Sequence, residues 1–111
     1  MGGGGPEAFE EVAAKVKQAW SDAGRDGAPR LTALCYFALG DDAREAADRY
    51  THDYYAFIRE VADQLAQGVA VDEGMATQYR DAFAAAGADE LIYFPCSPDP
   101  AQVDLLADAL E

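Results

Sequence analysis

The apolar and polar positions along this chain switch between two periods, and the switches mark out its elements. From Pro6 onward Phe9, Val12, Ala13, Val16, Ala19 and Trp20 recur at helical spacing and form one apolar face. Pro6 suits the first helical turn, where a missing N–H breaks no bond, and Glu7, Glu10 and Glu11 lie toward the positive end of the helix dipole. Gly24 ends this helix, and 25–29 read as a loop. Leu31 to Leu39 is then nearly all apolar with no helical period, which predicts a strand buried on both faces. Gly40 closes it. Asp42 and Glu45 have capping-box spacing and open a long helix expected over 43–67, carried by Ala43, Ala46, Ala47, Tyr50, Tyr54, Phe57, Ile58, Val61 and Leu65. Gly68 is its stop. A further helix starts near Asp72, turns Met75, Tyr79, Ala82, Phe83 and Ala86 inward, and stops at Gly87.

The stretch 88–100 packs the most grammar into the fewest residues. Leu91 to Phe94 is a short apolar run without helical period, hence a second buried strand with Leu91, Ile92 and Phe94 at its centre. Pro95 ends it, because proline cannot donate to a sheet ladder. Asp99, Pro100 and Gln102 then read as cap, first helical position and capping-box partner. The last helix carries Val103, Leu106, Ala107 and Leu110 as its stripe. Strand, polar loop and helix start form a β/α unit, and such folds place chemistry on the loop after the strand. Here that loop holds Cys96 and Ser97.

The order is helix, strand, helix, helix, strand, helix. Two strands joined by a long helical crossover should lie parallel, with a right-handed connection. The fold class is therefore α/β, a partial β/α barrel with about two parallel strands and four helices. A full barrel needs eight strands and about 250 residues. Two strands cannot close one, and their outer edges invite pairing, so self-association is expected to complete the sheet.

Composition narrows the partners. With 111 residues the chain is one domain, read as a flexible Gly-rich lead over 1–5 and a single β/α domain over 6–111. Its net charge of −13 argues against nucleic acid and anionic membrane as partners. No apolar run is long enough to span a bilayer, and the Gly-rich start does not read as a signal peptide. Cys35 and Cys96 form no CxxC motif, which fits reduced thiols and a cytoplasmic location.

The segment 30–50, Arg-Leu-Thr-Ala-Leu-Cys-Tyr-Phe-Ala-Leu-Gly-Asp-Asp-Ala-Arg-Glu-Ala-Ala-Asp-Arg-Tyr, followed by 83–95, Phe-Ala-Ala-Ala-Gly-Ala-Asp-Glu-Leu-Ile-Tyr-Phe-Pro, resembles the C-terminal part of luciferase-like flavin-dependent monooxygenases. The Gly-Gly-Gly-Pro-Glu-Ala-Phe lead resembles that family's turn into the helix after its sixth strand. The resemblance runs from about Gly2 to Leu110. It implies a β/α barrel that binds FMN or a deazaflavin at the C-terminal mouth of its strands, served by a flavin reductase if catalytic. It covers only the last units of such a barrel, so most of the expected flavin site is missing. The chain is expected to lack catalytic competence alone. Flavin binding would need further copies, or the missing barrel portion, to rebuild the mouth around Gly40, Asp41, Cys96 and Ser97. The alternative is a non-catalytic α/β module that survives by self-association.

Other candidate chemistry is thin, and no catalytic residue is assigned. Gly2 to Gly5 lacks phosphate-loop spacing and reads as a terminus or loop end. A nucleophile at Cys96 or Ser97 would need a base, and the single histidine, His52, falls off the apolar face of the long helix as a solvated residue. Tyr50, Tyr54 and Phe57 read as packing, Cys35 as a small buried hydrophobe, and Trp20 as core or interface. Asp41, Asp42, Asp48, Asp53 and Asp63 match no calcium loop and alternate with arginines, so no metal site is expected.

Overall fold

A computed structural model describes residues 4–111; Met1–Gly3, with the first part of the Gly-rich lead, lie outside the described residues. The element order is α1 (Pro6–Asp22), β1 (Thr32–Phe37), α2 (Ala43–Tyr54), α3 (Arg59–Gly68), α4 (Glu73–Ala85), β2 (Glu90–Pro95) and α5 (Ala101–Leu110). β1 and β2 pair in parallel, from Thr32 opposite Glu90 to Phe37 opposite Pro95. Pro95 thus holds the last ladder position rather than lying beyond it. Its missing N–H is tolerated because, among the described residues, no strand pairs with the outer side of β2.

The strands differ from expectation in what covers them. Burial alternates along β1, with Ala33, Cys35 and Phe37 buried and Thr32, Leu34 and Tyr36 only partly so. In β2 Leu91 and Tyr93 turn the same way as the buried set, while Ile92 and Phe94 are each 42% exposed. Helices therefore cover one face. Phe9 and Ala13 of α1 and Phe83 of α4 pack over Ala33 and Cys35, with the Phe9 and Phe83 rings edge to face at 5.7 Å. Phe37 lies under Ala76 and Leu106, edge to face with Tyr93 at 6.0 Å. The other face exposes Leu34, Tyr36, Ile92 and Phe94. The near-continuous apolar sequence signals two apolar faces, of which this chain covers one.

β1's outer edge is partly taken. Ala38 donates its N–H to Ala70 O at 2.9 Å, and Ala70 donates to Tyr36 O at 3.0 Å, a one-residue parallel bridge. Below it, Leu34 to Tyr36 border a cleft of about 410 Å³ walled by Val61, Leu65, Tyr79 and Phe83.

The long helix expected over 43–67 is two helices, so the described residues form five. α2 ends at Tyr54, residues 55–58 turn, and α3 starts at Arg59. Glycine and proline are absent from the break, and the apolar period runs through it, so the sequence shows no stop. The cause is local. Thr51 is fully buried and its Oγ donates back to Ala47 O at 2.9 Å, a bond that bends helices. The following His-Asp-Tyr-Tyr-Ala-Phe-Ile run is poor in strong helix formers.

Two caps also differ. Asp42 makes no side-chain cap bond. Asp99 accepts from Ala101 N at 3.0 Å, but Gln102 points inward instead of closing a box. That inward turn rotates α5, so Leu106 and Ala109 pack while Val103 is 67% exposed. At Asp72 the expected start holds, its carboxylate accepting from Met75 N at 2.8 Å. Trp20 neither enters the core nor stands free. Its indole N–H donates to Asp26 O at 3.2 Å and Arg25 stacks 3.8 Å above the ring, pinning the 23–29 loop. No helix among the described residues is long and apolar enough to cross a membrane.

Candidate functional site

The two strands run in parallel, so their C-terminal ends and the loops that follow lie side by side. Cys96 N donates to Phe37 O at 2.8 Å, which continues the ladder one step into both loops. Beyond β1 the chain turns at Gly40, whose φ of +97° favours glycine. A Cβ there would meet Leu105 at 3.6 Å, so the space beside Gly40 faces α5. Asp41 is exposed at the start of the turn into α2. Ser97 is half-buried and its Oγ accepts from Asp99 N at 3.3 Å, shaping the loop before α5. The four candidate residues thus gather at one end of the sheet.

Cys96 is buried among Ala38, Ala43, Ala46, Ala47 and Val69. Burial pushes its thiol up to about 11, and that of Cys35 to about 12, from an ordinary 9.0. Both remain thiols near neutrality and are poor nucleophiles. Neither should react with an aromatic disulfide reagent at pH 8 in the native state, and both should react in denaturant. Fast labelling of native protein would contradict this burial. Stability has a matching pH dependence. It is full below about 9 and falls as pH rises toward 11 to 12, because unfolded thiols ionise while folded ones hold their protons.

The most distinctive feature at this end is aromatic. Tyr36 and Phe94, partners across the ladder, meet edge to face at 5.7 Å. Tyr50 of α2 leans on both, at 5.7 and 6.3 Å. Tyr54 stacks on Tyr50 at 5.8 Å with planes 3° apart. The Tyr36 and Tyr55 hydroxyls are 2.8 Å apart, and burial together with this bond raises the Tyr36 phenol. Phe57 closes the row and is 77% exposed. Tyr50 packs, as its helical spacing implies, but Tyr54 is 62% exposed, and the two extend the open sheet face into an aromatic shelf.

The residue that sets the loop geometry is Gln102, which sequence spacing assigns to a capping box. Its buried amide pairs twice with one residue: Nε2 donates to Leu39 O and Oε1 accepts from Leu39 N, both at 2.8 Å. The clamp satisfies the backbone where β1 leaves the sheet and ties α5 to the Gly40 turn. Its helical spacing from Leu106 and Ala109, four and seven residues on, was the one signal available. Gln102→Leu should orphan both Leu39 groups and lower stability by about 2–4 kcal/mol, read from urea unfolding. A loss under about 0.5 kcal/mol would show that water replaces the clamp.

His52 lies apart from this end, as expected for a residue off the apolar face, and pairs with Asp63 at 2.8 Å. No group of three or more His, Cys, Asp or Glu side chains among the described residues is arranged to hold a metal ion.

No family model and no curated protein matches this sequence. A solved F420-dependent secondary alcohol dehydrogenase, in complex with an F420–acetone adduct, has a similar structure, with a TM-score of 0.60 and 15% identity. The match covers 99% of this chain and 48% of that one, so the chain spans about half the length of the structure it matches. The likeness shows the fold. This is an α/β chain with the shape of part of a β/α barrel.

Three of the four candidate positions are already engaged within the chain. Ser97 already accepts the Asp99 N–H, Cys96 faces alanines, and Gly40 faces Leu105. The guanidinium of Arg44 on α2 is engaged by Ala66 O at 2.9 Å and the Asp48 carboxylate. What the chain offers a planar ring is one aromatic wall.

Proposed function

We propose that this chain is part of a luciferase-like, flavin- or deazaflavin-dependent oxidoreductase barrel and is not catalytically competent alone. The observation that carries the reading is the sheet itself, covered by helices on one face and open on the other through Leu34, Tyr36, Ile92 and Phe94. In a closed barrel that second face is the packed interior. The similarity to an F420-dependent enzyme over half of its length agrees with this reading, as does the sequence resemblance.

The molecule's dimensions support a missing complement. It measures 49 × 36 × 20 Å, with a radius of gyration of 15.4 Å where about 13 Å is usual for this length. Its accessible surface is 6964 Å², against about 5,900 Å² for a monomer of this mass. The excess, roughly 1,000 Å², is what one partner contributes to a standard interface. A second copy, or the rest of such a barrel, covers this face. The mouth around Gly40, Asp41, Cys96 and Ser97 then takes FMN or a deazaflavin against the aromatic shelf, in a reducing cytoplasm where a reductase supplies the reduced cofactor.

Fluorescence titrations of FMN and of F420, run below and above the concentration at which the chain associates, test the reading. Saturable binding only in the associated state supports it. Binding by the monomer would mean that the shelf suffices. Binding in neither state would favour the second reading, a non-catalytic self-associating α/β module. That reading rests on Cys96 being buried and on His52 lying away from the strand ends.

A further inference from the structure

His52 is the chain's single histidine, and both of its ring nitrogens face acceptors. Nδ1 lies 2.7 Å from the carbonyl oxygen of Asp48, one turn back on α2. Nε2 lies 2.8 Å from the carboxylate of Asp63 on α3. A carbonyl only accepts, so Nδ1 must carry a proton. The Asp63 carboxylate likewise accepts, so its contact with Nε2 is a hydrogen bond when Nε2 carries a proton. Neither neutral tautomer fits. With the proton on Nδ1, a nitrogen lone pair faces Asp63; with it on Nε2, a lone pair faces Asp48 O. The arrangement is that of an imidazolium.

We propose that protonated His52 is a lock between α2 and α3, and that its deprotonation frees the 55–58 turn that carries the outer part of the aromatic shelf. The lock sits beside the helix break. Tyr54, Tyr55 and Phe57 follow within five residues of His52, and Tyr55 reaches back to the Tyr36 hydroxyl. At the far end of the α2–α3 pair Arg44 donates to Ala66 O at 2.9 Å and meets Asp48 at 3.4 Å, contacts in which no imidazole takes part. The pair is therefore fixed at one end and pH-sensitive at the other.

The charged groups facing His52 all favour the cation. They are the Asp63 carboxylate from α3, then the Asp48 carbonyl and carboxylate from α2, against an opposing effect of burial. The imidazole is therefore held above its ordinary 6.5. Contact between the helices is full below that value and is lost as pH rises through the folded-state titration. This inference rests on the α2–α3 geometry alone and is independent of the flavin reading.

The test is NMR titration of His52 together with hydrogen exchange of residues 55–63 between pH 5.5 and 8.5, corrected for the intrinsic pH dependence of exchange. The expected titration midpoint lies above 6.5 and falls in Asp63→Asn. Corrected exchange of 55–63 should be about threefold to fivefold faster at the high end, the size expected for an exposed pair. That pH dependence should vanish in His52→Gln and in Asp63→Asn, while exchange in β1 stays unchanged in all three proteins. A midpoint unmoved by Asp63→Asn, or an equal pH dependence in His52→Gln, overturns the proposal.

Discussion

Replacing Phe37 with alanine is expected to lower the unfolding free energy by about 3–5 kcal/mol. A small domain holds about 5–15 kcal/mol in total, so this variant should melt far earlier or fail to fold above room temperature. Phe37 is the largest fully buried side chain, at 2% exposure. It joins the sheet to both C-terminal helices, touching Ala70, Ala76 and Leu106 and meeting Tyr93 edge to face. Ala70 and Ala76 are too small to fill the space. Tyr93 donates its hydroxyl to Ala76 O at 2.7 Å, so it cannot swing into the void. The cavity should therefore stay open and carry its full penalty. Phe57→Ala is the internal control. The same atoms are removed from a 77% exposed position, and the change should stay within about 0.5 kcal/mol. Urea unfolding of the two variants side by side is sufficient. Similar losses would mean that the shelf, and not the helix-covered face, is the structural core.

The elements of this fold were legible because each boundary has its own chemistry. Gly40 and Gly87, at φ of +97° and +96°, stop elements where no side chain is comfortable, and Asp72 caps α4 as its type suggests. The parallel pairing followed from the helical crossover alone. What stayed hidden depends on distance along the chain. The break at 55–58 is invisible to periodicity because its driver, a buried Thr51 bonding back to Ala47 O, depends on packing. The Gln102 clamp joins residues 63 apart in sequence, and capping-box spacing offered a nearer partner. The one-sided sheet was hardest to read. Leu34, Tyr36, Ile92 and Phe94 are as apolar as buried residues, so a strand of this composition looks buried on both faces whether or not the second cover is present. The candidate mouth was legible as a location, the loops after the strands. Its aromatic character was not, since Tyr50 and Tyr54 recur at core spacing and Phe94 at strand spacing.

That hidden face makes Ile92→Asp the sharpest test of how the chain completes itself. Its sequence setting places Ile92 in a buried central strand, where an unpaired carboxylate would prevent folding. In the structure Ile92 is 42% exposed and opposite Leu34. In a dilute monomer the new carboxylate stays in water, and the thermal melt should move by only a few degrees. In an assembly that covers the face, the same carboxylate loses water with only Leu34 and aromatic rings nearby. Association should weaken on the order of a hundredfold, about 2.7 kcal/mol. Sedimentation equilibrium of the native chain and the variant reads this directly. Ionic strength supplies a second axis. Each copy carries a net charge of −13, so self-association should strengthen with salt as repulsion is screened over about 10 Å at 0.1 M. Loss of association with the melt preserved identifies this face as the interface. Unfolding of the dilute variant would show that the face is already covered within one chain. Undiminished association would direct the search to the cleft beside β1, where Leu34 to Tyr36 leave the other sheet edge open below Ala70.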